Sequence, residues 1–212
     1  MTADAAAMPT VPMIPCEDVP SHPDFRALLS IAGIAVDLRY ATPDNFVGRA
    51  VYGGLDCSYL RREAADALER ANTWLAAHRP GYRLLVLDAL RPQRVQEVLW
   101  DELQGTPLTM YLANPERGSI HSFGMAVDVT VLDPGGAEVD MGTGFDEMAL
   151  TSHPAFEAEH LALGLLTAAQ LSERGWLRAA MREAGFHGIS TEWWHFDFGD
   201  RVIVRRDLPR VM

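Results

Sequence analysis

Two short stretches of the sequence combine histidines and carboxylates in a way that suits metal chemistry. SIHSFGMAVD (119–128) contains His121 and Asp128, seven residues apart, and TEWWHFDF (191–198) contains His195. A carboxylate that enters an apolar run must be solvated, paired or bound to a metal, because burying a lone charge is costly. A hydrolytic zinc site needs three His or carboxylate ligands and an open fourth position for water. The three residues form a candidate set of this kind.

Two local bends are required for this site. Seven residues of straight strand would separate His121 from Asp128 by roughly 20 Å, so the chain must turn between them, and Gly124 allows it to fold back. Glu192 and His195 would face opposite sides of an extended strand, so a bend near Glu192 is needed for both to reach one site. With that bend, Glu192 is placed to take a proton from the attacking water as general base.

Each of these side chains also has a simpler interpretation when it is considered alone. A loop histidine or a strand-end aspartate is more often a hydrogen-bonded structural residue than a metal ligand, and spacing alone does not decide between the two. Trp193 and Trp194 are interpreted as packing and cleft wall. The remaining histidines have no matched carboxylate in the local sequence and are interpreted as surface or packing residues: His22, His78, His153, His160 and His187.

Hydrophobic periodicity predicts the elements that must position the candidate residues. Alternation places Asp128 on the opposite face of its strand from three valines, so that it faces a cleft. Four segments are predicted as strands: IAGIAVDLRY (31–40), RLLVLDAL (83–90), MAVDVTVL (125–132) and TEWWHFDF (191–198). Helices are predicted from Tyr59 to about His78, from Pro92 to Gly105, and from Thr167, with Gln170 completing a capping box, to Gly185. This mixed order without a repeated βαβ unit favours an α+β fold with a mostly antiparallel central sheet flanked by helices and the zinc site at its cleft.

Length and charge bound the class of protein. The chain has 212 residues and a formal net charge of −11, which predicts one catalytic domain at 25–212 behind an N-terminal arm at 1–24 rich in Pro, Ala and Met. The acidic balance offers no basic face for nucleic acid and no polybasic membrane patch. The sequence leaves the oligomeric state and the role of the arm open.

The cysteines and the N-terminus indicate the compartment. Cys16 and Cys57 are too few for a disulfide scaffold, which fits a reducing compartment and leaves open whether the two pair. The first twenty residues contain an acidic Asp4, no Lys or Arg, and prolines that interrupt any apolar run, so they do not resemble a signal peptide. We therefore expect a cytoplasmic protein.

Several motifs together resemble one family. The pattern SxHxxGxAxD in residues 119–128 and EWWH at 192–195 resemble the zinc D-alanyl-D-alanine dipeptidases of the vancomycin-resistance type. Three further segments look like that family in the same order, so that the resemblance covers about residues 30 to 198: DLRYATPDNFVGRAVY (37–52), LDALRPQRV (87–95) and MGTGFD (141–146).

The resemblance implies one zinc ion per chain, held by His121, Asp128 and His195. It also implies that Glu192 is the general base and that Arg91 steadies the tetrahedral intermediate. Arg91 suits this role on its own terms, because a guanidinium after a strand end can donate to a developing oxyanion.

The resemblance also implies the substrate contacts. It places Tyr40 and Asp146 at the free ammonium end of a small dipeptide, and Ser119 near the substrate. An N-capped chain would leave the Asp146 carboxylate buried and unpaired, which favours dipeptides over longer peptides.

The implied activity is zinc-dependent hydrolysis of D-alanyl-D-alanine to two D-alanines. The alternatives are a murein D,D- or L,D-carboxypeptidase or endopeptidase with the same zinc set, and a non-catalytic, metal-stabilised dipeptide-binding protein. A base and an oxyanion partner argue against simple binding, which requires neither. Glycopeptide resistance and D-alanine scavenging both remain open as biological roles.

Overall fold

The computed structural model describes residues 13–212. Seven strands and five α-helices follow one another along this part of the chain, with short 3-10 helices between them. The strands are β1 Phe25–Ala27, β2 Ala35–Val36, β3 Tyr59–Arg61, β4 Arg83–Asp88, β5 Ala126–Leu132, β6 Phe186–Gly188 and β7 His195–Phe198. The helices are α1 Arg62–His78, α2 Gln93–Leu103, α3 Glu157–Ala162, α4 Ala168–Glu183 and α5 Arg201–Asp207.

A five-stranded sheet forms the centre of the fold. Its strand order is β2-β4-β5-β7-β6, and only the β2–β4 pair is parallel. A separate two-stranded sheet pairs β1 with β3. The prediction of an α+β fold with a mostly antiparallel sheet flanked by helices is therefore confirmed.

The two faces of β5 lie in different surroundings. Val127, Val129 and Val131 pack in the main core, together with Leu68 of α1 and Leu177 of α4. Alternation turns the residues between the valines to the opposite face. The predicted alternation of this strand is confirmed, because Asp128 lines a cleft instead of the main core.

Two of the predicted strands are much shorter than expected. Of the segment 31–40, only Ala35–Val36 is a strand, because Gly33 adopts a φ of +80° and Arg39–Ala41 turns into a 3-10 helix. Of the segment 191–198, only His195–Phe198 is a strand. Strand β6, its neighbour on one side, ends opposite Phe196, so the preceding residues lack that partner.

The predicted helix from Tyr59 begins three residues later. Tyr59–Arg61 pairs with β1, so the backbone hydrogen bonds of this segment go to a strand and α1 starts at Arg62. The buried strand predicted within 83–90, ending at Asp88, and the capping box between Thr167 and Gln170 are confirmed.

The described part of the N-terminal segment packs against the C-terminus. The amide of Ile14 donates to the carbonyl of Arg210 over 2.9 Å, and the amide of Met212 donates to the carbonyl of Ile14 over 2.8 Å. Cys16 and Cys57 are free thiols buried in one apolar cluster. The boundary at residue 24 stays a prediction, and residues 1–12 lie outside the described part. Within residues 13–212, no helix has both the length and the apolar character needed to cross a membrane.

Gly124 closes the turn that brings His121 back toward β5. It ends the 3-10 helix Ile120–Phe123 with a φ of +68°, which costs a residue with a Cβ about 1–2 kcal/mol. A Cβ would also lie 2.9 Å from Phe25 Cε1 and 3.1 Å from the amide nitrogen of Arg61, and overpacking costs about 1–3 kcal/mol. Gly124→Ala should lower the free energy of unfolding in urea by about 2–5 kcal/mol.

Gly105→Ala is the matched control for this substitution. Gly105 has a φ of +77° but open space around its missing Cβ, so only the backbone part of the cost applies. Equal losses in the two variants would show that the close approach at Gly124 contributes nothing.

Candidate active site

Three buried side chains from separate elements meet at one point. His121 comes from the 3-10 helix, Asp128 from β5 and His195 from the start of β7. His121 Nε2 lies 3.1 Å from His195 Nδ1, and Asp128 Oδ1 lies 3.3 Å and 2.9 Å from these two nitrogens. Ligand atoms on tetrahedral zinc, at their usual bond lengths, are about 3.3 Å apart. The cluster has the donor types and nearly the spacing of one face of such a tetrahedron.

The other nitrogen of each imidazole is held by the protein. His121 Nδ1 lies 2.7 Å from the carbonyl oxygen of Ala89, and His195 Nε2 lies 3.0 Å from a carboxylate oxygen of Asp197. Metal-binding histidines almost always donate their second N–H to such an acceptor, which fixes the tautomer. This arrangement leaves the nitrogens that face Asp128 free to act as ligands.

Strand register places two aspartates and one histidine of the site in a row across the sheet. Asp88, at the end of β4, is paired with Asp128 on β5, and Asp128 is paired with His195 on β7. The three therefore lie side by side on adjacent strands, about 5 Å apart as neighbouring strands are. Burial alone would raise the pKa of Asp128, but His121 and His195 hold it well below its usual range.

Arg91 is anchored beside this row. Its guanidinium forms a two-point pair with Asp88, donates to Gln96 over 3.2 Å, and lies 3.4 Å from Asp128 Oδ2. The same Asp88 carboxylate accepts hydrogen bonds from the hydroxyl of Tyr52 and the amide of Ala89. Arg91 is therefore a rigid cation at the edge of the cleft, next to the candidate ligands.

Glu192 precedes β7 in an irregular segment that bends as the shared site requires. Its side chain lines the cleft with both Asp128 and His195. Burial raises the pKa of Glu192 to about 7, and the carboxylates of Asp128 and Asp197 also raise it, while His195 and Arg91 oppose them. A carboxyl whose pKa lies near neutrality can both accept and return a proton, as general acid–base catalysis demands.

Tyr40 and Asp146 lie at one end of the cleft. Asp146 has a φ of +57°, in the left-handed region, and its Oδ2 is buried without a hydrogen-bond partner among residues 13–212. Burial raises the pKa of Asp146 well above its usual range, although contact with Tyr40 and the charge of Arg91 oppose the shift. A cation placed here would favour the ionised carboxylate and satisfy the orphaned oxygen.

The cleft has two unlike parts. The acidic part, lined by Tyr40, Asp128 and Asp146, has a volume of only about 20 Å³. The basic part, lined by His121 and His195, has a volume of about 220 Å³. Four residues line both parts, at the point where they meet: Arg91, Tyr111, Leu112 and Glu192.

The structure brings all eight sequence-predicted site residues to this cleft. Ser119, the remaining one, is buried at the wall of the basic part, immediately before the 3-10 helix. Asp197 and the pairing of Asp88 with Arg91 were missed by the sequence reasoning. Asp197 carries a usable signal, because a residue two positions after His195 shares its face of the strand. Asp88 carries none, since its importance depends on the register of neighbouring strands.

Comparison with known proteins agrees with this geometry. The fold and the site together define a metallopeptidase. The family model described as D-ala-D-ala dipeptidase matches residues 25–211, and the chain belongs to that family.

Two curated relatives, both named D-alanyl-D-alanine dipeptidase, cover most of the chain. The protein from Escherichia coli strain K12 is 40% identical over 164 residues, covering 77% of this chain and 78% of its own. The protein from Enterococcus faecium is 33% identical over 189 residues, covering 80% of this chain and 88% of its own.

Proposed function

We propose that this protein is a zinc-dependent dipeptidase that hydrolyses D-alanyl-D-alanine to two D-alanines. The observation that carries the proposal is one cleft that combines a three-donor cluster with a base and with a carboxylate suited to an ammonium group. The names of the relatives support the substrate. The donor set of two imidazoles and one carboxylate supports zinc.

The protein's own groups supply the proton transfers in this proposal. A zinc ion held by His121, Asp128 and His195 would polarise the peptide carbonyl and lower the pKa of a water toward about 7. Glu192 accepts a proton as the water attacks, and returns it to the leaving nitrogen. Arg91, fixed by Asp88, provides positive charge where the oxyanion develops.

The two parts of the cleft orient the dipeptide. Its ammonium group pairs with Asp146 beside Tyr40, in the small acidic part, and its carboxylate extends past Ser119 into the basic part. The scissile amide then lies between them, where Glu192 and Arg91 line both parts. The ammonium end, at about 20 Å³, is much smaller than the basic part, at about 220 Å³, which favours a free dipeptide over a murein stem.

The cellular setting follows from the substrate. A free D-alanyl-D-alanine dipeptide is a cytoplasmic cell-wall precursor in the proposed role, and we place the enzyme in the cytoplasm with it. Depletion of that precursor would serve vancomycin resistance, whereas release of D-alanine would serve nutrition. Growth on D-alanyl-D-alanine, compared with glycopeptide tolerance, in a deletion strain separates the two.

A dipeptide panel tests the proposal. The zinc-loaded protein should release amine from D-alanyl-D-alanine, and far less from L-alanyl-L-alanine or from N-acetyl-D-alanyl-D-alanine. Hydrolysis of the acetylated compound at the same rate would remove the assignment of Asp146. No hydrolysis of D-alanyl-D-alanine by protein carrying one zinc per chain would refute the activity.

Asp197→Asn tests the metal site through its support. Burial alone would raise the pKa of Asp197, but His195 and Arg201 lower that pKa to about 2. Asp197 is therefore an ionised acceptor for the His195 imidazole. Loss of that charge should weaken zinc binding by about 10- to 100-fold in a chelator competition. Asp207→Asn, an exposed change on α5, is the control, and equal zinc affinity in the two variants would contradict the role of Asp197.

A further inference from the structure

Besides Arg91, three arginines line the basic part of the cleft. Arg117 precedes the 3-10 helix of His121, and Arg201 and Arg205 lie four residues apart on α5. Their concentration at one cavity runs against the charge of the whole chain, which is −11. Glu192 and Asp197 line the same cavity, but the guanidiniums outnumber them, and a cleft with an excess of one sign of charge concentrates ligands of the opposite sign.

In the described part of the chain, a carboxylate pairs with only one of these three guanidiniums. Arg201 pairs with Asp197. Arg205 donates to the carbonyl of Gly118 over 3.1 Å, which leaves its charge uncompensated. Within residues 13–212, no carboxylate oxygen lies within ion-pair distance of Arg117 or Arg205. Two positive charges therefore remain for a ligand.

The arginines also repel one another. Burial and the charges of Arg117 and Arg201 lower the pKa of Arg205, the carboxylate of Asp197 partly opposes them, and Arg210 adds to the lowering. An anion between Arg117 and Arg205 would relieve this repulsion. A dipeptide with a neutral second residue brings one carboxylate to two such cations.

We propose that the basic part binds two anionic groups, the α-carboxylate and an acidic side chain of the second residue, so that dipeptides ending in D-aspartate or D-glutamate are preferred over their amide isosteres. This inference rests on the proposed function, because it assumes that the leaving residue occupies the basic part. The volumes agree with it. The part that holds the second residue is about 220 Å³, against about 20 Å³ at the ammonium end.

Binding of an isosteric pair tests the inference without turnover. D-alanyl-D-aspartate and D-alanyl-D-asparagine are titrated calorimetrically into zinc-loaded Glu192→Gln protein, which should bind both without cleaving them. The aspartate compound should bind about tenfold more tightly at low salt, and the advantage should shrink as salt rises.

Three arginine variants in the same background locate the effect. Arg117→Gln and Arg205→Gln should each reduce the preference to about threefold or less. Arg206→Gln, one position along α5 and paired with Asp207 outside the cavity, should leave it unchanged. Because Arg205 also holds the carbonyl of Gly118, the exposed Arg117 provides the variant with the smaller structural risk.

The outcomes separate this inference from the proposed function. Equal binding of the two dipeptides, or a preference that survives both cavity variants, would overturn it. Wild-type hydrolysis of D-alanyl-D-alanine without any acidic preference would leave the proposed function intact and remove only the inference. Tighter binding of the aspartate compound, together with a zinc-loaded wild-type protein that does not hydrolyse D-alanyl-D-alanine, would support the anion site and refute the dipeptidase activity.

Discussion

Glu192→Gln is expected to lower the turnover of D-alanyl-D-alanine by about 10²- to 10⁴-fold while the protein keeps its zinc. The amide has the shape of the carboxylate, but it cannot take a proton from the attacking water. His121, Asp128 and His195 are unchanged, so their grouping within 4.8 Å should persist. Turnover is measured by amine release, and zinc by elemental analysis of the dialysed protein.

An exposed glutamate provides the matched control. Glu159→Gln, on the surface of α3, makes the same chemical change away from the cleft and should retain full activity. Glu192→Gln protein with wild-type turnover would remove the assignment of the general base. Loss of zinc together with turnover would mean that Glu192 contributes to metal binding instead.

The pH dependence of the wild-type enzyme should show the same group. Burial raises the pKa of Glu192 to about 7, and a cation held by the neighbouring cluster lowers it again. Only the ionised carboxylate accepts a proton, so kcat/KM should rise with pH and level off above that pKa, with the rise centred at or below about pH 7. A rate that falls as pH rises through this range would contradict a basic role for Glu192.

The sequence predicts the chemistry of this site better than the lengths of the elements that hold it. His121, Gly124 and Asp128 are close in the chain, so a single turn decides whether they converge, and a glycine with a φ of +68° makes that turn. Glu192 and His195 need a bend that local propensity does not indicate. That bend is possible because β7 starts only at His195, and β6, its neighbour on one side, ends opposite Phe196, so the residues before His195 lack that partner.

What the sequence could not indicate is the support behind the predicted residues. Tyr59–Arg61 has the periodicity of a helix start, but tertiary pairing with Phe25–Ala27 makes it a strand. Asp88 reads as the polar end of a buried strand, and nothing local shows that it anchors Arg91. Such contacts depend on strand register, which is set by the whole sheet.

Arg91→Ala should therefore cost both stability and turnover. Removing one partner of a buried ion pair leaves an uncompensated charge, here Asp88, and typically costs about 3–5 kcal/mol. Loss of a donor to the developing oxyanion typically lowers the rate by about 10²- to 10³-fold. Urea unfolding of the variant gives the first quantity, and amine release from D-alanyl-D-alanine gives the second.

A double variant distinguishes the two effects. Asp88→Asn with Arg91→Gln removes both charges, and the new amide oxygen can still accept from Tyr52 and the amide of Ala89. Because no charge is then left buried without its partner, most of the stability should return while turnover stays low. If turnover returned as well, Arg91 would serve only to neutralise Asp88, and the proposal that Arg91 stabilises the oxyanion would be wrong. If neither returned, the pair would hold the turn from β4 that carries the Ala89 carbonyl to His121, and zinc affinity should fall with it.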